Sequence, residues 1–540
     1  MNKIERRSFR IWLIFGFVAT AAIGLAINLL NLHRMKGDGI SYLDLADRYL
    51  SLDAMGIANS SWSPLYPFLL AISKAAIRPG QYNEFVMVQF VNFVIFLATL
   101  MAFHWLFLNI SRHASDESNL RSGYFISICL FVYCSLSLIS STGVTPDMLL
   151  FCILLAMTGF LVKYIDGVLG RDALIIGILC GFGFLSKAIL FAITPIVFIC
   201  IAAVSARNRK WKHAILPIAG FLIISAPWII FLSVSKGRLT FSDIGWINYC
   251  IDVGTCENDD RNYYLPVDDV SSLVIYRTQY DSVTFPPWFD LSERWVNAKV
   301  EISPQEQARS VIKNLNHTFG FLFSMFTIPF YLSVFLLVCM RFRDLIKVLK
   351  KLWMLLVVSL TGSIYFLSHV EERYIAPFLF IFFLPFIITY LVATFEGRDR
   401  FVSWLLIFAS GITLFAAFYP PIVGWRKMVD ESSKTYRAAV TASNHGLLAR
   451  TKVVVLGSGV DLYWAKLVGI NIVGEFEEPG RFWGLTKGEI GPVMCKLSDL
   501  GVSAIVTNSP PFNRELDWKD IYPTKAYVAQ VTCNKALDSP

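Results

Sequence analysis

Of the 540 residues, 55% are hydrophobic and only 16% are charged, with a mean hydropathy of +0.55. Soluble domains carry roughly 25% charged residues, so this composition excludes a water-soluble enzyme and describes a chain whose surface faces lipid. The formal net charge of +8 sits mostly in short loops between apolar runs, where it orients a chain in the bilayer rather than gripping nucleic acid.

Crossing the hydrocarbon core takes about 20 mostly apolar residues. Runs of that quality lie near 11–32, 83–110, 122–140, 146–166, 214–234, 317–340, 352–367, 375–395 and 401–419. The stretch 173–205 is too long for one span, and Lys187 interrupts it, so it reads as two helices with a turn at Ser186-Lys187. The total is about eleven spans. Alternate loops concentrate Lys and Arg: residues 3–10, 112–121, 163–171, 207–212, 341–351 and 398–400. The positive-inside rule puts these in the cytoplasm, with the N-terminus inside and the C-terminus outside, in an inner (plasma) membrane. The first apolar run lacks a small-residue cleavage site and reads as an uncleaved helix.

Three longer segments then fall on the periplasmic side: 33–82, 235–316 and the tail 422–540. Within the first, 65–77 is apolar but too short to span and reads as a surface or dipping helix. The tail reads as a small α/β unit, with strands at 452–456, 504–507 and 526–531 and a helix at 488–500. The expected fold is thus an all-α membrane bundle over 1–421 with an extracytoplasmic α/β domain over 422–540. Six cysteines fall in predicted helices as packing residues. The other four form two outer pairs, Cys250 with Cys256 and Cys495 with Cys533, which an oxidising compartment allows to bond.

Few ionisable residues stand at the outer ends of the spans. Asp38 follows the first span between two glycines, where Asp and Gly are ordinary turn residues and a carboxylate is also placed to act as a base. Asp147, in Thr145-Pro146-Asp147, suits a helix N-terminus. Its loop is so short, however, that the carboxylate lies at membrane depth, where a functional role is the default. Lys187 either snorkels to the interface or holds an anionic head group. Ser368-His369-Val370-Glu371-Glu372-Arg373-Tyr374 is a dense polar cluster in a short loop, readable as a solvated surface or as the wall of a site.

Taken in order, these residues resemble the C-type glycosyltransferase superfamily, especially its protein O-mannosyltransferase and lipid A aminoarabinose transferase branch. The resemblance rests on Gly37-Asp38-Gly39-Ile40-Ser41-Tyr42, Ser63-Pro64-Leu65-Tyr66-Pro67, Thr145-Pro146-Asp147, Gly181-Phe182-Gly183-Phe184-Leu185-Ser186-Lys187 and Glu372-Arg373-Tyr374. It spans most of the first 400 residues. It implies transfer of a sugar from a polyprenyl-phosphate carrier to an envelope lipid, polysaccharide or protein at the outer face. By that analogy Asp38 is the general base of an inverting displacement, and Asp147 is the second catalytic carboxylate. Lys187 and Arg373 would stabilise the leaving phosphate. His369, Glu371, Glu372, Tyr374, Tyr42 and Tyr66 would bind substrate. Some relatives carry an adjacent acidic pair in the first outer loop where Asp38 has glycine on both sides. A divalent metal ion is therefore an open cofactor expectation.

Rival classes make different demands. A transporter or flippase would place ionisable groups near the bilayer midplane on broken helices, often in repeated halves. A non-catalytic envelope scaffold would depend on the tail and not on Asp38. An O-antigen ligase or polymerase would carry a large late outer loop instead of a folded tail. Gly457-Ser458-Gly459 lacks the third glycine of a dinucleotide fingerprint, since Leu462 stands there, and reads as a strand-end turn. The seven histidines show no zinc-hydrolase spacing.

Overall fold

The computed structural model describes residues 3–114, 117–254, 256–257, 262–280, 282–296, 298–324, 342–392, 408, 411, 425–512 and 515–533. Among these, seven helices are long and apolar enough to cross a membrane: Phe9–Leu29, Gln81–Ile110, Leu120–Ile139, Asp147–Gly167, Leu190–Arg207, Trp211–Lys236 and Glu372–Val392. Their burial spans a wide range. Leu120–Ile139 and Glu372–Val392 bury 78% of their apolar window inside the protein, whereas Phe9–Leu29 and Trp211–Lys236 bury 22% and 28%. The first two are central posts, and the second two present their apolar faces outward, as helices on a lipid-facing rim do.

The run 173–205 divides into helices Gly170–Ser186 and Leu190–Arg207, with Lys187 in extended backbone between them. Gly170–Ser186 has 17 residues and packs intimately on Leu216–Lys236. A Cβ on Gly177 would lie 2.0 Å from the carbonyl oxygen of Pro217, so only glycine permits this crossing. The expected run 352–367 is a helix Phe342–Leu360, kinked at Leu352, that continues as a 3₁₀ segment Thr361–Leu367. The expected spans at 317–340 and 401–419 lie outside the described residues, apart from 317–324, Phe408 and Gly411, as does Cys339.

Between the first two spans come helix α1 (Gly37–Ser51) and helix α2 (Leu65–Ile77), the short apolar helix anticipated at 65–77. Strands β1 (Cys256–Glu257) and β4 (Lys299–Val300) pair with each other. The remaining strands form one seven-stranded sheet: β2 (Tyr264–Asp268), β3 (Leu273–Tyr276), β5 (Lys452–Leu456), β6 (Asn471–Phe476), β7 (Ala504–Thr507), β8 (Lys519–Ile521) and β9 (Ala526–Gln530), in the order β2-β3-β6-β5-β7-β9-β8. β5 runs parallel to both β6 and β7, and all the other pairings are antiparallel. The residues of β5 after Lys452 are buried, as expected for a central strand covered on both faces. The helix Lys487–Asp499 has a complete capping box from Thr486 and Glu489.

This sheet draws strands from two separate segments of the chain. β2 and β3 come from the outer segment 235–316, and β3 pairs directly with β6 of the tail. Gly474 makes the join, since a Cβ there would lie 2.3 Å from the Val274 carbonyl. The tail is also pinned to the bundle by buried charge. Lys466 Nζ lies 2.7 Å from both Asp44 and Asp47 of α1, and Lys74 joins Asp47 to Glu84. Both outer cysteine pairs are disulfides, Cys250–Cys256 and Cys495–Cys533.

Candidate active site

Six separate stretches of chain meet where α1 begins. Lys36 is extended, the helix starts at Gly37, and Asp38 stands in its first turn, where the helix dipole favours a carboxylate. Its Oδ1 accepts the indole N–H of Trp288 at 3.2 Å, and Oδ2 accepts from Arg373 Nη2 at 3.4 Å. The Asp38 side chain keeps 25% of its surface exposed, so its position is fixed while the oxygens stay reachable. Trp288 is held in turn by Ser41, whose hydroxyl donates to the Trp288 carbonyl at 2.9 Å.

Arg373 is the hub. Nη2 donates to Glu371 Oε1 at 2.8 Å, and Nε lies 2.7 Å from Glu371 Oε2, off the hydrogen-bond axis. Nη1 stands 3.5 Å from Asp147 Oδ2. One guanidinium thus faces three carboxylates from three parts of the chain, a task suited to its planar fork. The other oxygen of Asp147 accepts from Lys187 Nζ at 2.6 Å. That ammonium also lies 3.4 Å from the centroid of the Tyr374 ring, which stacks on Tyr365 at 4.9 Å. Lys187 can reach across because the chain is extended at the break between its two helices.

His369 extends the cluster outward. Nδ1 pairs with Asp252 at 3.1 Å and Nε2 with Glu371 at 3.3 Å. These two carboxylates push the imidazole up to about 9, against the opposing effect of burial, so the ring carries a charge at neutral pH. Burial would raise Glu371, but hydrogen bonds from His369 and Arg373 outweigh it and hold the carboxyl well below the usual range. Three cations (Lys187, Arg373 and His369) therefore face four carboxylates (Asp38, Asp147, Asp252 and Glu371).

The fold brings together Asp38, Asp147, Lys187, His369, Glu371, Arg373 and Tyr374, and it leaves others further back. Tyr66 is completely buried, and its hydroxyl donates to Asn92 at 2.7 Å. Tyr42 is 5% exposed and packs edge-on to Tyr66 and Trp62. Tyr66 lies in the layer behind the site, whereas the Tyr42 phenol is near enough to Asp38, Asp147, Arg373 and Tyr374 to feel their charge. Glu372 opens the helix Glu372–Val392, and among the described residues no hydrogen bond or ion pair joins it to the cluster. Sequence reasoning missed Trp288, Asp252 and Tyr365. A tryptophan in Phe285-Pro286-Pro287-Trp288, between polar stretches, was the one available signal for the first. Asp252 and Tyr365 carried none.

Asp38 and Asp147 each turn an oxygen to Arg373, and among the described residues no group of three His, Cys, Asp or Glu side chains is arranged to hold a metal ion. The tail overlies the site as well. A Cβ on Gly37 would lie 2.9 Å from Val460 Cγ2, in the turn that follows β5.

This helical bundle with its mixed sheet shares its fold with two crystal structures of ArnT. The crystal structure of ArnT from Cupriavidus metallidurans in the apo state matches with a TM-score of 0.55 and 12% identity, covering 97% of this chain and 98% of that one. The same protein bound to undecaprenyl phosphate matches with a TM-score of 0.56 and 12% identity, over 97% and 99%. AglB from Archaeoglobus fulgidus, an oligosaccharyltransferase in complex with an inhibitory peptide and a dolichol-phosphate, reaches only 0.46 at 12% identity, over 92% of this chain and 69% of that one. No protein-family model and no curated protein sequence matches the chain.

Proposed function

We propose that this protein is an integral-membrane glycosyltransferase. It moves a sugar from a polyprenyl-phosphate carrier to an envelope acceptor at the periplasmic face, with inversion at the anomeric carbon. The observation that carries this reading is the single guanidinium of Arg373 set between Asp38, Asp147 and Glu371, with Lys187 beside it. ArnT, whose fold this chain shares, has been crystallised with undecaprenyl phosphate.

In this reading Asp38 takes the proton of an acceptor hydroxyl as that oxygen attacks the anomeric carbon. Trp288 holds Oδ1 of the carboxylate, and Oδ2, in a long 3.4 Å contact with Arg373, is the oxygen that takes the proton. The bond from the anomeric carbon to the carrier phosphate breaks, and the phosphate leaves with the electron pair. Lys187 and Arg373 stabilise its charge, the first as a point charge and the second through its fork. Asp147 holds both cations in place, and Glu371 with His369 fixes Arg373 from the outside. No step runs through a metal. About eleven spans, an N-terminus inside and the sheet outside complete the proposed topology.

The test supplies membranes containing the wild type or Asp38→Asn with radiolabelled polyprenyl-phosphate sugars and follows label into envelope lipids, polysaccharides and proteins. Asn keeps size and hydrogen-bonding reach but cannot serve as the base. Transfer by the wild type and its loss in Asp38→Asn, at equal expression, is the expected result. Equal transfer by both would remove Asp38 from the mechanism, and no transfer from any donor would return the transporter and scaffold readings.

A further inference from the structure

The helix Asp147–Gly167 carries Asp147 of the candidate active site at one end. Its other end lies about 30 Å away at 1.5 Å per residue, which is the thickness of the hydrocarbon core. At that far end the protein has a second polar centre, a cavity of about 280 Å³ lined by Asn109, Arg112, Lys163, Asp166, Arg171 and Asp172.

Its charges are unevenly satisfied. Asp166 is paired with Lys351 at 2.7 Å. Lys163 lies over the rings of Phe160 and Trp105, at 5.1 and 6.0 Å from their centroids. Asp172 is the exception. Its side chain is 1% exposed, and among the described residues neither carboxylate oxygen has a hydrogen-bond partner. The nearest cations, Lys163 and Arg171, stand 3.8 Å away, beyond hydrogen-bond reach. A carboxylate in the first turn of a helix gains from the dipole, but a buried one without donors is expensive unless something supplies them. Arg112, Lys163 and Arg171 meanwhile make the rim basic, and Arg171 is 72% exposed. The cavity thus offers cations to a phosphate and a buried acceptor to a cationic donor.

We propose that this cavity binds the phosphoethanolamine headgroup of a membrane phospholipid, with the phosphate on Arg112, Lys163 and Arg171 and the ammonium donating to Asp172. The position selects the source. A pocket between helix ends at the membrane border meets headgroups from the adjoining leaflet, and basic pockets of this kind bind lipid phosphates. An ammonium brings three N–H donors and a charge, which answers both unpartnered oxygens of Asp172. The site is independent of the transferase reading, because it lies at the opposite membrane face from Asp38.

The test uses the full chain, purified and presented with lipids of identical acyl chains, with binding followed by native mass spectrometry. Phosphatidylethanolamine should bind about tenfold more tightly than phosphatidylcholine, because trimethylation removes the donors and keeps the phosphate. In Asp172→Asn the preference should fall to about threefold or less, while Lys163→Gln should weaken both lipids alike. Equal binding of the two lipids by the wild type overturns the proposal and needs no variant to fold. An unchanged preference in Asp172→Asn does the same. Binding of phosphatidylglycerol as tightly as phosphatidylethanolamine would leave a phosphate site without an ammonium partner. Displacement of the lipid by an equal concentration of soluble O-phosphoethanolamine would assign the cavity to a soluble ligand.

Discussion

Replacing Arg373 with lysine keeps the charge and removes the fork, and the geometry sets the size of the loss. The guanidinium faces Asp38 at 3.4 Å and Glu371 at 2.8 Å from Nη2, and Asp147 at 3.5 Å from Nη1, in three different directions. A single ammonium can keep one of these partners, so two are lost. Charge-assisted contacts contribute about 1.5 kcal/mol each at the low end of their range, or about 3 kcal/mol together. At 1.36 kcal/mol per decade this is a fall of about 10²-fold in kcat/KM for sugar transfer. The assay is transfer from a labelled polyprenyl-phosphate sugar by matched amounts of purified Arg373→Lys and wild type, with melting temperatures recorded alongside. A fall of less than about threefold in a variant that melts normally would show that charge alone suffices, and would refute the hub role of Arg373.

Three further outcomes follow from the same contacts. Trp288→Phe keeps the ring and removes the N–H that fixes Asp38, and should lower transfer about fivefold, the worth of about 1 kcal/mol, with stability unchanged. Lys466→Met leaves Asp44 buried without its cation and should destabilise the junction between tail and bundle by about 3–5 kcal/mol. Limited proteolysis and melting would read this out, and adding Asp44→Asn should restore part of the loss. His369 has a folded pKa raised from 6.5 to about 9, so its contribution is complete below pH 6.5 and disappears as pH rises through 9. His369→Gln should flatten the decline in melting temperature over that window, by an amount worth about 1 kcal/mol because the ring is 39% exposed and screened.

The sequence made the helices and the site residues on their ends legible for one reason. In lipid every backbone group must be satisfied locally, so a span announces itself by length and apolarity, and any charge within reach of it stands out. Asp38, Asp147, Lys187 and Arg373 were visible in this way. The sheet was half legible. β5 and β7 are short apolar runs with buried residues, whereas β6 contains Gly474 and Glu475, which break the pattern that would have marked it. β2 and β3 could not be assigned to the tail because their partner lies about 200 residues away in sequence, a separation that periodicity cannot bridge. The Gly457-Ser458-Gly459 turn was legible as a turn, with Gly457 at φ +98°, but not as part of the cover that places Val460 against Gly37. Tyr66 belongs to a motif of the resemblance and yet lies behind the site, because its hydroxyl is taken up by Asn92 in the core.

The most direct measurement takes the purified protein in nanodiscs, supplies a polyprenyl-phosphate sugar of known anomeric configuration with an envelope acceptor, and determines the product's configuration by NMR while counting released polyprenyl phosphate. The account predicts an inverted glycoside, formed one for one with polyprenyl phosphate by the wild type and absent with Asp38→Asn. A retained configuration, or full turnover by Asp38→Asn, would contradict it.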